Sequence, residues 1–163
     1  MKKQAERIAK AAVNDALKNE VAAVVRKAVR QSAQENVYDA YEPMAYERRG
    51  DNGGLSDEKN IVASPPVERK SSVGFTVENI AMFNPNMTSR GSRPWQTTFR
   101  GRTLTQRIVD GWDSADAGSP AYMQPRPFMQ RASESLDEGG ASRKELDAAF
   151  EAAMKRYDIE KIK

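Results

Sequence analysis

Apolar residues along the first quarter of the chain fall where one face of an α-helix would put them. Val13, Leu17, Val21, Val24 and Ala28 recur at steps of three and four, the spacing that stacks side chains into a single stripe. The positions between them are mostly Ala, Lys, Glu, Gln and Arg, which are good helix formers, and neither Gly nor Pro occurs before Pro43. The pattern predicts a helix over residues 1–41, strongest from Ala5. A helix that long exceeds what a small domain covers. Part of it is therefore expected to project or to pack on a neighbouring subunit, with its middle an ordinary amphipathic core helix.

The texture changes after Tyr38. Tyr38, Tyr41 and Tyr46 lie close together, Pro43 closes the helix, and Asp51-Asn52-Gly53-Gly54 signals a turn, because Asn and Gly tolerate positive φ. The stretch lacks the alternating acidic ligands and closing Glu of a calcium loop, which leaves a plain turn. Strand character occupies 55–83 in two arms. Asn60 to Pro65 forms one; Ser72 to Phe83 forms the other, where Val73, Phe75 and Val77 alternate with Gly74, Thr76 and Glu78. Ile80 and Met82 carry a broken alternation onward. Pro65-Pro66 is expected to stop the first arm, and Lys70-Ser71-Ser72 to loop between the two, giving an antiparallel pair.

Residues 84–102 read as an extended loop, of a length that is usually functional or disordered. Leu104, Ile108 and Trp112, at steps of four, mark a short helix or strand, and Asp113 to Pro125 is turn-rich. Over 126–157 two helices are expected. Pro127 sits in the first turn of one, where its missing N–H is no loss. Phe128, Ala132 and Leu136 share a face, and Gly139-Gly140 stops the helix. Ser142 with Glu145 reads as a capping box for the other, whose apolar face is Leu146, Ala149, Phe150, Ala153, Met154 and Tyr157. No repeat of 20 to 50 residues is visible.

Composition narrows the function classes. A chain of 163 residues fits one domain, 1–163, able to bury roughly 70% of its unfolded surface. Yet 39% of residues are apolar, 30% are charged and the mean hydropathy is −0.76, so the core is thin and some surface is expected to await a partner. Cysteine and histidine are both absent. That excludes disulfides, thiolate metal sites, Cys nucleophiles and Ser-His-Asp catalysis. Carboxylate-, Lys- or Tyr-based catalysis stays open in principle, but nothing points to it: the expectation is a non-enzyme with no cofactor and no metal. Acidic pairs such as Asp57-Glu58 and Asp137-Glu138 read as solvated faces. A net charge of +3 is a mild excess that does not by itself predict nucleic-acid binding. No apolar run approaches the roughly 18 residues of a membrane span. Polar residues follow Met1-Lys2-Lys3 where a secretory signal would be apolar, so the chain is expected to be made and used without export and without a membrane.

Two segments carry a resemblance. Val37-Tyr38-Asp39-Ala40-Tyr41 through Tyr46-Glu47-Arg48-Arg49 and Gly53-Gly54-Leu55, and later Arg126-Pro127-Phe128-Met129-Gln130-Arg131-Ala132, resemble the neck and tail-completion proteins of tailed bacteriophages, a family of head–tail connectors and minor tail components. The likeness spans most of the chain in order of elements. It departs at the Arg90 to Arg102 loop and at the helix after Gly139. It implies an α+β fold, made here from a long N-terminal helix, a small antiparallel sheet, a long loop and two C-terminal helices. It also implies assembly of identical copies into a ring around the DNA channel, contact with other neck and tail proteins, a place in the virion after synthesis in the host cytoplasm, and no catalytic residues.

Candidate contact residues follow from type and spacing. Arg90, Arg93, Trp95, Phe99, Arg100 and Arg102 interleave cations with aromatics. An arm docking on an adjacent subunit is favoured, since Trp and Phe are costly to leave in water. Single-strand binding, or nonspecific phosphate contact with DNA in the channel, comes second, and a solvated loop third. No phosphate cradle or recognition-helix module appears. Arg126 and Phe128 are of the types favoured at protein contacts, with Phe128 more simply a core residue. Tyr38, Tyr41 and Tyr46 read equally as contact anchors or as caps on the helix end.

Overall fold

The N-terminal helix forms as the apolar periodicity demands, but with two wider turns in it. In the computed structural model, which describes residues 2–40, 49–69, 72–82, 104–111 and 124–157, α1 (Lys2–Ala16) continues through a π-helical turn (Leu17–Val21) into α2 (Ala22–Ala33) and a second π-helical turn (Gln34–Tyr38). The junctions keep helical dihedrals, Ala16 at φ −56° and ψ −48°, Val21 at −65° and −43°, so these segments make one rod. Burial accounts for the first wide turn. Ala12 and Ala16 are buried, and so are Val21, Val24 and Ala28. The step from Ala16 to Val21 is five, which an i→i+5 turn keeps on the stripe and an α-turn would carry off it.

Past a 3-10 turn (Glu58–Asn60) come β1 (Ile61–Ala63), β2 (Val67–Glu68), β3 (Val73–Gly74) and β4 (Val77–Asn79). Three helices complete the described chain: α3 (Leu104–Asp110), α4 (Phe128–Leu136) and α5 (Arg143–Lys155). The fold is α+β. The chain itself covers the rod from Ala12 onward, α4 lying against α2 and α5 against α1 and the first π turn. Gln4, Glu6 and Arg7 stay exposed in its opening turns. Alanines at positions 12, 16, 22, 33 and 153 are all 0% exposed, and such small residues let helix axes approach closely.

The two strand arms pair antiparallel as expected, but the pairing does not end at Pro65-Pro66. β1 pairs with β4 and β2 with β3, so one two-stranded ribbon carries both small sheets. Ala63 faces Val77 and Val67 faces Gly74; the first arm advances four residues while the second advances three. The extra residue falls at the prolines, as bulges do where no N–H is available for the ladder. Ser64 bridges the gap: its N–H donates to the Thr76 carbonyl at 2.8 Å, and its Oγ accepts from the Thr76 N–H at 3.0 Å. At the ribbon tip Glu68 accepts from Asn14 Nδ2 of α1 at 3.0 Å.

One core unites these parts. Val29, Ala33 and Val37 of the rod meet Leu55, Ile61 and Ala81 around the ribbon and Phe128 and Ala132 of α4. Phe128, Leu55 and Val29 are the largest fully buried side chains among the described residues, and Ser32 Oγ donates to the Phe128 carbonyl at 2.7 Å. Pro127 takes the position before the first turn of α4, and Gly139 follows that helix with φ +81°. Gly140 must lack a side chain, since a Cβ there would stand 2.4 Å from the Ser135 carbonyl oxygen. The capping box expected at Ser142 is not made. Ser142 precedes α5 at φ −93° and ψ −1° with no side-chain cap, and Glu145 instead accepts from Lys27 Nζ at 2.8 and 2.9 Å, tying α5 to the rod.

Removing the central aromatic tests this arrangement. Phe128→Ala is expected to lower stability by about 3–5 kcal/mol in urea unfolding followed by circular dichroism. Phe150→Ala, at a side chain 36% exposed, should cost clearly less.

Candidate functional site

The outer face of the ribbon is positioned by a set of polar ties beneath it. Leu55 is plugged into the core, 1% exposed, and side chains hold its backbone at both ends: its N–H donates to the Tyr38 hydroxyl at 2.8 Å, and its carbonyl accepts from Asn79 Nδ2 at 2.7 Å. Asn79 Oδ1 in turn accepts from the Ala81 N–H at 3.1 Å and from Thr105 Oγ1 at 2.8 Å. The buried Asn79 side chain therefore joins the 49–60 turn, the end of β4 and α3. Such a group is stable in the interior because its donors and acceptors are matched.

The turn before Leu55 is closed in the same way. Gly53 adopts φ +82°, and a Cβ on Gly54 would meet the Gly50 carbonyl oxygen at 2.4 Å and the Tyr38 hydroxyl at 2.6 Å. Asp57 accepts from the Lys59 N–H at 3.0 Å and the Gly53 N–H at 2.7 Å. These backbone donors, that of Lys59 foremost, hold its carboxyl below the ordinary value. Arg30 of α2 pairs with Asp51 at 2.6 Å.

With Asn79 and Ala81 turned inward, the intervening residues must face out. The alternation begun at Val73 is thus unbroken, and Ile80 and Met82 stand on the side where a half-buried strand carries polar residues. They are 44% and 59% exposed, and Val62, opposite Glu78 on the neighbouring strand, is 44% exposed. Val62 and Ile80 are diagonal neighbours on one face. An open groove of about 540 Å³ runs beside β1, lined by Arg26, Arg30, Asp51, Lys59, Ile61 and Ala63 among others. A second, of about 500 Å³, shares Arg30 and Asp51. Among the described residues no group of three or more acidic side chains is placed to hold a metal ion, and no helix is long and apolar enough to cross a membrane.

Three of the residues singled out from the sequence are described. Tyr38 is half-buried, and its hydroxyl accepts from the Leu55 N–H in the turn that follows the rod. Phe128 is 0% exposed; its ring fills the core, which leaves none of it for a contact with a neighbour. Arg126 is half-buried, and its N–H donates to the Ile108 carbonyl at 2.9 Å, linking α3 to the start of α4. Tyr41, Tyr46, Arg90, Arg93, Trp95, Phe99, Arg100 and Arg102 lie outside the described residues. Sequence reasoning missed Asn79 and the outward Ile80 and Met82. The signal was parity: counting on from Val77 by twos reaches Asn79 and Ala81.

The model of the YomN family, which is phage-derived and of the SPbeta-like prophage type, matches residues 1–156, from the first helix through α5. No curated protein and no solved structure matches the chain.

The ties make two predictions. Tyr38→Phe removes only the hydroxyl and leaves the Leu55 N–H without its acceptor, so stability should fall by about 1–3 kcal/mol in chemical denaturation. Asp57 is a carboxylate whose folded value is depressed, so its contribution is present above the ordinary carboxylate range, near pH 4, and is lost as pH falls through the folded value. Acid titration of the wild type should therefore show a loss of stability in that window that Asp57→Asn lacks.

Proposed function

The chain belongs to the YomN family, and from that premise we propose that it is a structural protein of a tailed phage particle, seated in the neck, where identical copies form a ring that joins the head to the tail or completes the tail. The observation that carries this reading is the set of large apolar side chains on the outward parity of the ribbon, Val62, Ile80 and Met82. An apolar face on a two-stranded ribbon is marginal alone, and its burial against a neighbour is worth roughly 25 cal/mol per Å². The phage origin of the family and the resemblance of the Val37–Tyr41 and Arg126–Ala132 segments to neck and tail-completion proteins support the same assignment. Each copy offers the same surface, so a contact repeated head to tail closes on itself when the rotation between copies divides a full turn. The role is geometric and needs no catalytic group or cofactor. Its partners are further copies of the chain and the adjoining neck and tail proteins, reached after synthesis in the host cytoplasm.

Cryo-EM of purified particles tests the proposal directly. The expected map has this chain in cyclic copies at the junction of head and tail. Ile80→Asp with Met82→Asp, at exposed positions, should leave the circular dichroism and melting of the isolated chain unchanged while heads and tails accumulate unjoined. Absence of the chain from purified particles overturns the reading. A monomer whose affinity for DNA falls steeply with salt would favour a nucleic-acid-binding module using the Arg90–Arg102 loop instead.

A further inference from the structure

The first π turn is gripped from outside the helix. Asp15 and Glu20 are five residues apart, and in an α-helix, at 3.6 residues per turn, they would diverge by roughly 140°. Across Leu17–Val21 the i→i+5 hydrogen bonding stacks them on one side. Arg156, just beyond α5, meets both: its Nη2 lies 3.1 Å from Asp15 Oδ2 and its Nη1 lies 2.7 Å from Glu20 Oε1. A planar guanidinium can span two carboxylates in this way, whereas an ammonium acts as a single point. Asp15 also accepts from Asn19 Nδ2 at 2.7 Å and from the Tyr157 hydroxyl. The bond to Asp15, more than burial, raises the Tyr157 hydroxyl above its ordinary value.

A second observation marks the joint as held rather than merely decorated. Glu20 Oε2 is buried and has no hydrogen-bond partner. The Glu20 side chain as a whole is 28% exposed, so the cost of the unpaired oxygen is partial, and the Arg156 cation paired with its other oxygen offsets it. The second π turn is secured differently: Gln34 Nε2 donates to Asp39 Oδ1 at 2.7 Å and Asn36 Nδ2 to the Ser32 carbonyl at 2.9 Å, while Val37 packs in the core and the Tyr38 hydroxyl accepts from the Leu55 N–H. The first turn is instead gripped by an ion-paired side chain from far along the sequence, Arg156 lying 141 positions from Asp15.

We propose that Arg156 is a latch that holds the N-terminal rod in its offset register, and that lifting α5 off the rod lets Leu17–Val21 relax to α-helical hydrogen bonding. One residue of offset is about 100° of rotation, so release turns the face of residues 2–16 about the rod axis relative to α2. Ala12 and Ala16, now 0% exposed against the rest of the chain, leave the stripe that Val24 and Ala28 continue. The contact of α5 thus fixes which side of α1 is presented to the surroundings. This inference does not rest on the assignment to the phage neck.

The test uses the full chain. Because it contains no cysteine, Gln4→Cys and Gln31→Cys, both at exposed positions, can be spin-labelled without competition and their separation measured by pulsed dipolar spectroscopy. Amide hydrogen exchange is followed in parallel by NMR. In the Arg156→Ala background a second distance is expected to appear, and amides 17–22 should exchange about ten-fold faster while amides 34–39 change by less than about two-fold. Arg156→Lys should recover the wild-type pattern only in part. If Arg156→Ala does not fold, Glu20→Gln and the wild type at about 1 M salt, where the Debye length is near 3 Å, give the same two readouts. A single unchanged distance, or equal acceleration at both π turns, overturns the latch.

Discussion

The fold depends on keeping one leucine in place. Leu55 enters the core from an irregular turn, where no helix or strand ladder satisfies its backbone, and the Tyr38 hydroxyl and the Asn79 carboxamide supply the missing partners. Through Asn79 the same constraint reaches Thr105 of α3 and the N–H of Ala81. With those ties made, Ile61, Ala81 and Phe128 close around the leucine. A thin core tolerates little slack: in a chain with 39% apolar residues, polar groups matched in the interior contribute the specificity that bulk hydrophobic burial would otherwise supply.

Those inward ties decide what faces outward. Because Asn79 is turned in, its apolar neighbours Ile80 and Met82 are turned out, and the ribbon acquires a surface that a strand facing only water would not carry. Elsewhere the described exterior carries exposed pairs such as Lys27–Glu145, Arg143–Asp147 and Arg131–Glu134 that individually contribute little. An apolar face turned outward above these interior ties is the physical content of the proposal that the chain works within an assembled particle.

Much of the architecture was legible before any coordinates. Helical spacing marked the rod, period-two alternation marked the two arms and their antiparallel pairing, and Pro127 and Gly139 bracketed α4. Elements whose side chains repeat on one face announce themselves. What escaped were features set by single tertiary contacts. The π turn at Leu17–Val21 follows from matching Ala16 to Val21 on a surface the sequence does not display. Glu145 completes a capping box by local rules yet is engaged by Lys27. Asn79 reads as an interruption of an apolar pattern until Leu55 and Thr105 are seen beside it. The candidate surface was therefore half visible: its strand was read, its facing was not. Phe128, read from the sequence as more simply a core residue than a contact, fills the core, because aromatic side chains answer to burial before they answer to partners.

The proline pair in the ribbon has a consequence of its own. Open strand edges are templates on which other chains can polymerise. Pro65 and Pro66 break the row of amide donors on the first arm, and the uneven advance of the two arms adds twist at that point. A neighbouring strand cannot then run the length of the ribbon as an uninterrupted ladder. Contacts between molecules are steered from backbone edges, which accept any sequence, toward side-chain faces, which do not.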